Sequence, residues 1–307
     1  MQDAQLDNFA WLLLVLIAIV SLFGLRSLDS SRRARRRADS KAFAWSRVSI
    51  SSRKIQLLST LFRTAPACEA PRWTGISVLL ALVAFLLFPG IIMGILEESW
   101  DTGLYSSEIQ PRASSVTGGY LLGGGLIAFL IWYFVVVGLR QSPATLGLRG
   151  ASLTNLLPVV LVYVFFIVPL GLCAHLWTEL IEYLGYESMP QEVVKMFGDA
   201  VARGDPLELS LLVFNAVILA PLWEELLYRG FFFGLLKSRW GVFPALLFSS
   251  AVFSCSHFSL AAFLPLFVVG MAVGYVYYRT RSLYFAIFFH ALFNGLSMAV
   301  QFILVGS

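Results

Sequence analysis

Three short patterns carry groups able to do chemistry, and each is embedded in apolar sequence. The first is Ala220-Pro-Leu-Trp-Glu-Glu-Leu-Leu-Tyr-Arg-Gly230; the second is Phe253-Ser-Cys-Ser-His257; the third is His290-Ala-Leu-Phe-Asn294. Glu225 and Arg229 are four residues apart, so on a helix they share a face and can pair, which offsets much of the cost of burying both charges. Glu224 points about 100° away from Glu225 and has no cation near it in sequence. His290 and Asn294 again share one helical face. A water held between a carboxylate and an imidazole is the minimum apparatus for hydrolysis, with further polar groups stabilising the oxyanion. The same Glu224, His257 and His290 equally make up the three protein ligands of a catalytic zinc.

Such groups need elements that can carry them, and composition says which. Of 307 residues, 58% are hydrophobic and 13% charged, about half the charged share of an ordinary soluble domain. A water-soluble exterior cannot be built from that supply, and a disordered chain is excluded as well. Eight stretches approach the 20 or so apolar residues that cross a bilayer: Asn8–Leu25, Thr74–Ile95, Gly118–Val137, Leu156–Leu176, Leu209–Leu236, Val242–Phe258, Ala261–Tyr278 and Leu283–Leu304. The expected fold is therefore all-α, a polytopic membrane bundle of about eight transmembrane helices. It divides into an N-terminal span and basic loop (1–73), spans two to four with acidic outer loops (74–208), and a core carrying the three patterns (209–307). The leading MQDAQLDN has two aspartates and no basic residue, unlike the start of a signal peptide, so the first stretch reads as a retained span.

Charge sets the expected orientation. Twelve basic residues lie between Arg26 and Arg72; with that loop inside, eighteen of the 22 Lys and Arg fall on the inner side and three on the outer, Arg229 being within a span. The positive-inside rule then places both termini outside and the basic loop in the cytoplasm. Used as a topology signal against an anionic leaflet, the basic charge implies a lipid bilayer and no nucleic acid as partner. Three scattered cysteines (Cys68, Cys173, Cys255) form neither a disulfide framework nor a zinc knuckle. Gln191–Phe197 reads as a short interfacial amphipathic helix, His175 as an interfacial residue, and Gly119/Gly123 and Gly270/Gly274 as close helix contacts.

The three patterns, written EExxxR (Glu224, Glu225, Arg229), FxxxH (Phe253, His257) and HxxxN (His290, Asn294), resemble in order and spacing the CAAX protease and bacteriocin-processing family, also called CPBP or Abi. The resemblance is strong over 209–307 and reaches weakly to Leu146-Gly-Leu148. Phe258 after His257 and Phe293 before Asn294 are closer to its bacterial branch than to the prenyl-protein enzyme. It implies an intramembrane endopeptidase of a bacterial inner membrane, acting on a membrane protein or peptide. In that scheme Glu224 and His257 activate water, His290 and Asn294 form the oxyanion hole, Glu225 and Arg229 hold the helix in place, and Phe253 packs beside His257. No cofactor is required in this glutamic scheme; the zinc-dependent version uses Glu224, His257 and His290. Competing readings are a non-proteolytic scaffold or bacteriocin-immunity protein, and a cation transporter with buried Glu and His as relays. Spans one to four carry almost no polar residues for such a path.

Overall fold

The structure, a computed structural model, describes residues 70–84, 87, 113–188 and 191–306. The first expected span and the basic loop up to residue 69 lie outside the described residues. Within them the chain is helical throughout, with no strand. In order the helices are α1 (Gly75–Ala84), α2 (Ala113–Gly138), α3 (Leu153–Tyr183), α4 (Glu192–Arg203), α5 (Pro206–Trp240), α6 (Val242–Cys255), α7 (Leu260–Thr280) and α8 (Leu283–Gly306). Five of these, α2, α3, α5, α7 and α8, are long and apolar enough to cross a membrane. Their outward side chains are apolar too: Phe165 and Val168 on α3 are 75% and 74% exposed, a surface that suits lipid and not water. The chain is an integral membrane protein.

The expected count of about eight spans is not reached among the described residues. Of the second stretch, only residues 74–84 and 87 are described, with α1 over Gly75–Ala84. The sixth is shorter than expected for a different reason. α6 has 14 residues, about 21 Å at 1.5 Å per residue, against roughly 30 Å of hydrocarbon. The apolar run continues to Phe258, but the chain leaves the helix at Ser256. Phe258 adopts φ 49°, and Ser259, in extended conformation, caps α7 through its Oγ on the Ala262 amide. His257 thus sits in a turn at the end of a short helix, and not along the side of a full span.

Packing is tightest around α6 and α7. A Cβ on Gly270 would lie 3.0 Å from Ser250 Cβ, and one on Gly274 would lie 2.7 Å from Leu246 Cδ2, so this glycine pair marks a close helix contact as its spacing suggests. In α2 a close approach falls at Gly124: a Cβ there would lie 2.5 Å from the Trp223 ring. The loop between α2 and α3 folds under α5. Leu146 is fully buried in it, and a Cβ on Gly230 would lie 2.8 Å from the Leu146 carbonyl oxygen. Because that obstacle is backbone, Gly230→Ala is expected to destabilise the protein by about 1–3 kcal/mol, read as a lowered thermal unfolding midpoint in detergent.

The expected interfacial helix is α4, longer than its sequence segment. Its apolar face does not lie open: Met196, Phe197 and Ala200 pack on Ala113 and Leu212, and Gln301 of α8 donates to the Val194 carbonyl at 2.6 Å. Asp205 caps the following α5 on the amides of Leu207 and Glu208, while Arg203 pairs with Glu208 across the corner.

Candidate active site

α5 brings the two glutamates into the interior, and it is not a regular helix. Asn215–Leu219 and Leu226–Phe233 have π-helical hydrogen bonding, the kind of irregularity often found at functional sites. In the first stretch the Ala220 amide donates to the Asn215 carbonyl, five residues back. The next donor in that register would be residue 221, which is proline and has no N–H. The Ala216 carbonyl is therefore left without its amide, and Asn294 of α8 donates its Nδ2 to it at 2.6 Å. Asn215 anchors the same stretch to α2 by donating to Thr117 Oγ1 at 2.7 Å.

A second carbonyl is freed where α6 ends. The His257 amide, which would take the Phe253 carbonyl in a continuing helix, turns to Ser254 at 3.2 Å. Phe253 O accepts instead from His257 Nδ1 at 2.8 Å and from Ser256 Oγ at 2.7 Å. A carbonyl only accepts, so His257 Nδ1 carries the proton. In the neutral ring Nε2 then has the lone pair, and it faces Glu224 Oε2 at 3.9 Å. That carboxylate oxygen is buried with no hydrogen-bond partner among the described residues.

Glu225 sits in a different environment, with its neighbours already in place. Its Oε1 accepts from Arg229 Nη1 at 2.9 Å and from His290 Nδ1 at 2.8 Å. Arg229 also donates from Nη2 to the Gly270 carbonyl at 3.3 Å, and its guanidinium lies 4.4 Å from the centre of the Phe253 ring. All of these groups are buried: Glu225 is 0% exposed and Arg229 1%. Phe253 stands between the two histidines, edge-on at 4.8 Å from the His257 ring and 5.6 Å from that of His290.

The structure thus gathers Glu224, Glu225, Arg229, Phe253, His257 and His290 into one cluster from α5, α6 with the turn after it, and α8, closed by the Gly270 carbonyl of α7, with Asn294 on α8 one turn beyond His290. The Glu225–His290 hydrogen bond has no counterpart in any local spacing, because its partners are 65 positions apart. Tyr228, whose hydroxyl donates to Ser256 Oγ at 2.8 Å, was also not among the expected residues; its position one turn after Glu224 was the available signal. His175 lies apart from the cluster, exposed and 3.9 Å from Glu179.

A zinc centre would need Glu224, His257 and His290 to converge as ligands. His290 Nδ1 is taken by Glu225 and His257 Nδ1 by a carbonyl, which leaves both Nε2 atoms open, as in a metal-binding imidazole. The three side chains nonetheless do not converge: no three His, Cys, Asp or Glu among the described residues are grouped as metal ligands, and no step below is routed through a metal.

Fold and site together define a polytopic helical membrane protein with a buried carboxylate–imidazole cluster. Residues 206–296, from the start of α5 to the middle of α8, match the family model for type II CAAX prenyl endopeptidase Rce1-like proteins. The matched segment contains every residue of the cluster. Over 91 residues the chain is 30% identical to "Putative membrane peptidase YdiL" of Bacillus subtilis (strain 168), covering 30% of this chain and 37% of that one. Over 80 residues it is 41% identical to "UPF0177 protein YaiF" of Lactococcus lactis subsp. lactis (strain IL1403), covering 26% and 35%. The chain spans little more than a third of the length of these curated relatives. No solved structure matches. The resemblance to the CAAX protease and bacteriocin-processing family holds over this C-terminal segment.

Proposed function

We propose that the chain is an intramembrane endopeptidase of an inner membrane, hydrolysing peptide bonds of membrane proteins or peptides without a metal. The observation that carries this reading is the unpartnered Glu224 Oε2, buried 3.9 Å from the lone-pair nitrogen of His257. A water there meets two acceptors. Glu224 takes a proton from it as the oxygen attacks the substrate carbonyl, and His257 Nε2 holds the water's other hydrogen and aims its lone pair. When the tetrahedral intermediate collapses, the proton on Glu224 passes to the leaving amine, so water and peptide become acid and amine with the carboxylate restored.

The developing oxyanion falls to His290 and Asn294. Asn294 has one amide hydrogen on Ala216 O, which orients the second as a donor. His290 donates Nδ1–H to Glu225, so to donate from Nε2 as well it must carry both protons, beside a carboxylate that it shares with Arg229. In this reading Glu225 and Arg229 do more than hold α5: they seat the oxyanion donor.

Comparison of the membrane proteomes of cells carrying the intact protein and cells carrying Glu224→Gln tests the assignment. Protein fragments are expected that appear only with the intact glutamate. Identical fragment sets at equal levels of inserted protein would refute proteolysis through Glu224.

A further inference from the structure

His257 works in the proposed reaction only while its ring presents Nε2 to Glu224, and the side chain has two freely rotatable bonds. It lies in a turn, beyond the last residue of α6 and before the left-handed Phe258, where backbone geometry alone holds a side chain loosely. Among the described residues its side chain has one hydrogen-bond anchor, Phe253 O. That carbonyl is shared with Ser256 Oγ, and Ser256 Oγ in turn accepts from the Tyr228 hydroxyl of α5. Tyr228 is fully buried and sits four residues after Glu224, on the same helical face. It contacts Phe253 edge-on at 5.4 Å. A phenol on the helix of the glutamate is thus joined, through one hydroxyl and one carbonyl, to the imidazole that faces the glutamate.

We infer that Tyr228 and Ser256 are positioning residues for His257: they lock the end of α6 to α5, fixing the proton on Nδ1 and the separation of Nε2 from Glu224. The inference deepens the proteolytic reading and rests on it for its catalytic meaning, while its geometric content stands by itself. Neither residue touches the reacting atoms. Three physical points support the role. The hydroxyl of Ser256 has a single hydrogen, committed to Phe253 O, so its lone pair is available to the phenol. Both hydrogen bonds are buried or half-buried, where a fixed network resists rearrangement. A helix end without such a tie has orphan carbonyls open to several partners, and the imidazole would then sample both tautomers.

The chain has three histidines, His175, His257 and His290, which makes a direct test practicable. Full-length protein labelled with 15N-histidine is placed in lipid nanodiscs, and ring signals are assigned by substituting each histidine in turn. At a pH above the ordinary imidazole range, the intact protein is expected to show His257 as a single Nδ1–H tautomer. Tyr228→Phe keeps the ring and its contact with Phe253, yet is expected to remove the single-tautomer signal and introduce the Nε2–H form. Ser256→Ala is expected to do the same, and Ser256→Thr, which keeps a hydroxyl, to restore the original spectrum.

On a peptide substrate identified from the fragment comparison, Tyr228→Phe is expected to lower kcat about 10-fold with KM unchanged, since small misplacement of a reacting group is costly. An Nε2–H His257 in the intact protein overturns the inference. So do unaltered His257 signals in both Tyr228→Phe and Ser256→Ala, or failure of Ser256→Thr to rescue. These spectra need no substrate, so they can fail while proteolysis stands; cleavage that survives Glu224→Gln removes the reading of proteolysis through Glu224 and leaves them unaffected.

Discussion

Glu224→Gln and His257→Ala are each expected to slow peptide hydrolysis by about 10³-fold, and the double variant to be no slower than the worse single one. The magnitude follows from removing a positioned proton acceptor, worth about 10²–10⁴ in rate, together with the orientation of the attacking water. Glutamine has the shape of glutamate but cannot take the proton, and Oε2 makes no hydrogen bond among the described residues that the change would break, so the variant is expected to insert and fold normally. The lack of additivity is the more diagnostic result. In the proposed reaction both residues act on one water, from positions 3.9 Å apart, so once either is lost the other has nothing left to align, as in other catalytic groups that work as a unit. Rate losses that multiply in the double variant would mean that the two residues serve separate steps. The measurement is kcat/KM for the single and double variants on one peptide.

Arg229→Leu is expected to destabilise the protein by about 3–5 kcal/mol, the usual consequence of stripping one partner from a fully buried ion pair. Arg229 supplies one of the two hydrogen bonds to Glu225 Oε1, reaches the Gly270 carbonyl and covers the face of Phe253. Its loss leaves the Glu225 carboxylate in an apolar interior with only His290 as partner. Replacing both members, Glu225→Leu with Arg229→Leu, is expected to recover much of that stability, because an apolar pair carries no unmet charge. The double variant should nevertheless remain inactive, with His290 no longer seated. Unfolding midpoints in detergent, measured beside cleavage, separate the two effects. A double variant no more stable than Arg229→Leu would show that the pair contributes through shape and not through charge.

Much of the fold was legible in the sequence because a membrane span is a property of composition. Four of the eight expected stretches, those underlying α2, α3, α7 and α8, correspond to long apolar helices in nearly the same places, and α5 follows the fifth. What composition does not encode is where a helix stops inside an apolar run. Ser256-His257-Phe258-Ser259 carries no Lys, Arg, Asp, Glu, Gly or Pro to end a helix, but the chain turns there through a left-handed phenylalanine, and α6 stays short. The site was half legible for a related reason. Spacing of four residues speaks for pairs on one helix, such as Glu225 with Arg229. It is silent on partners that come together by packing, so the bond from His290 to Glu225 and the tie from Tyr228 to Ser256 emerge only in three dimensions. The π-helical phase of α5 is equally invisible, since a run of apolar residues reads alike whether its amides reach back four residues or five.

Two of the groups in the proposed reaction are seated on main-chain oxygens that irregular helix geometry has left open, Asn294 on Ala216 and His257 on Phe253. A backbone acceptor has no side chain to mutate away; it disappears only if the irregularity is repaired. Pro221 and the turn at 256–259 are therefore places where ordinary optimisation works backwards. A change that makes either region a better helix adds a backbone hydrogen bond and takes away a seat. Selection for a more robust scaffold and selection for turnover would pull these positions in opposite directions, and a variant of this protein picked for heat resistance at residue 221 should be checked for silence before it is counted as an improvement.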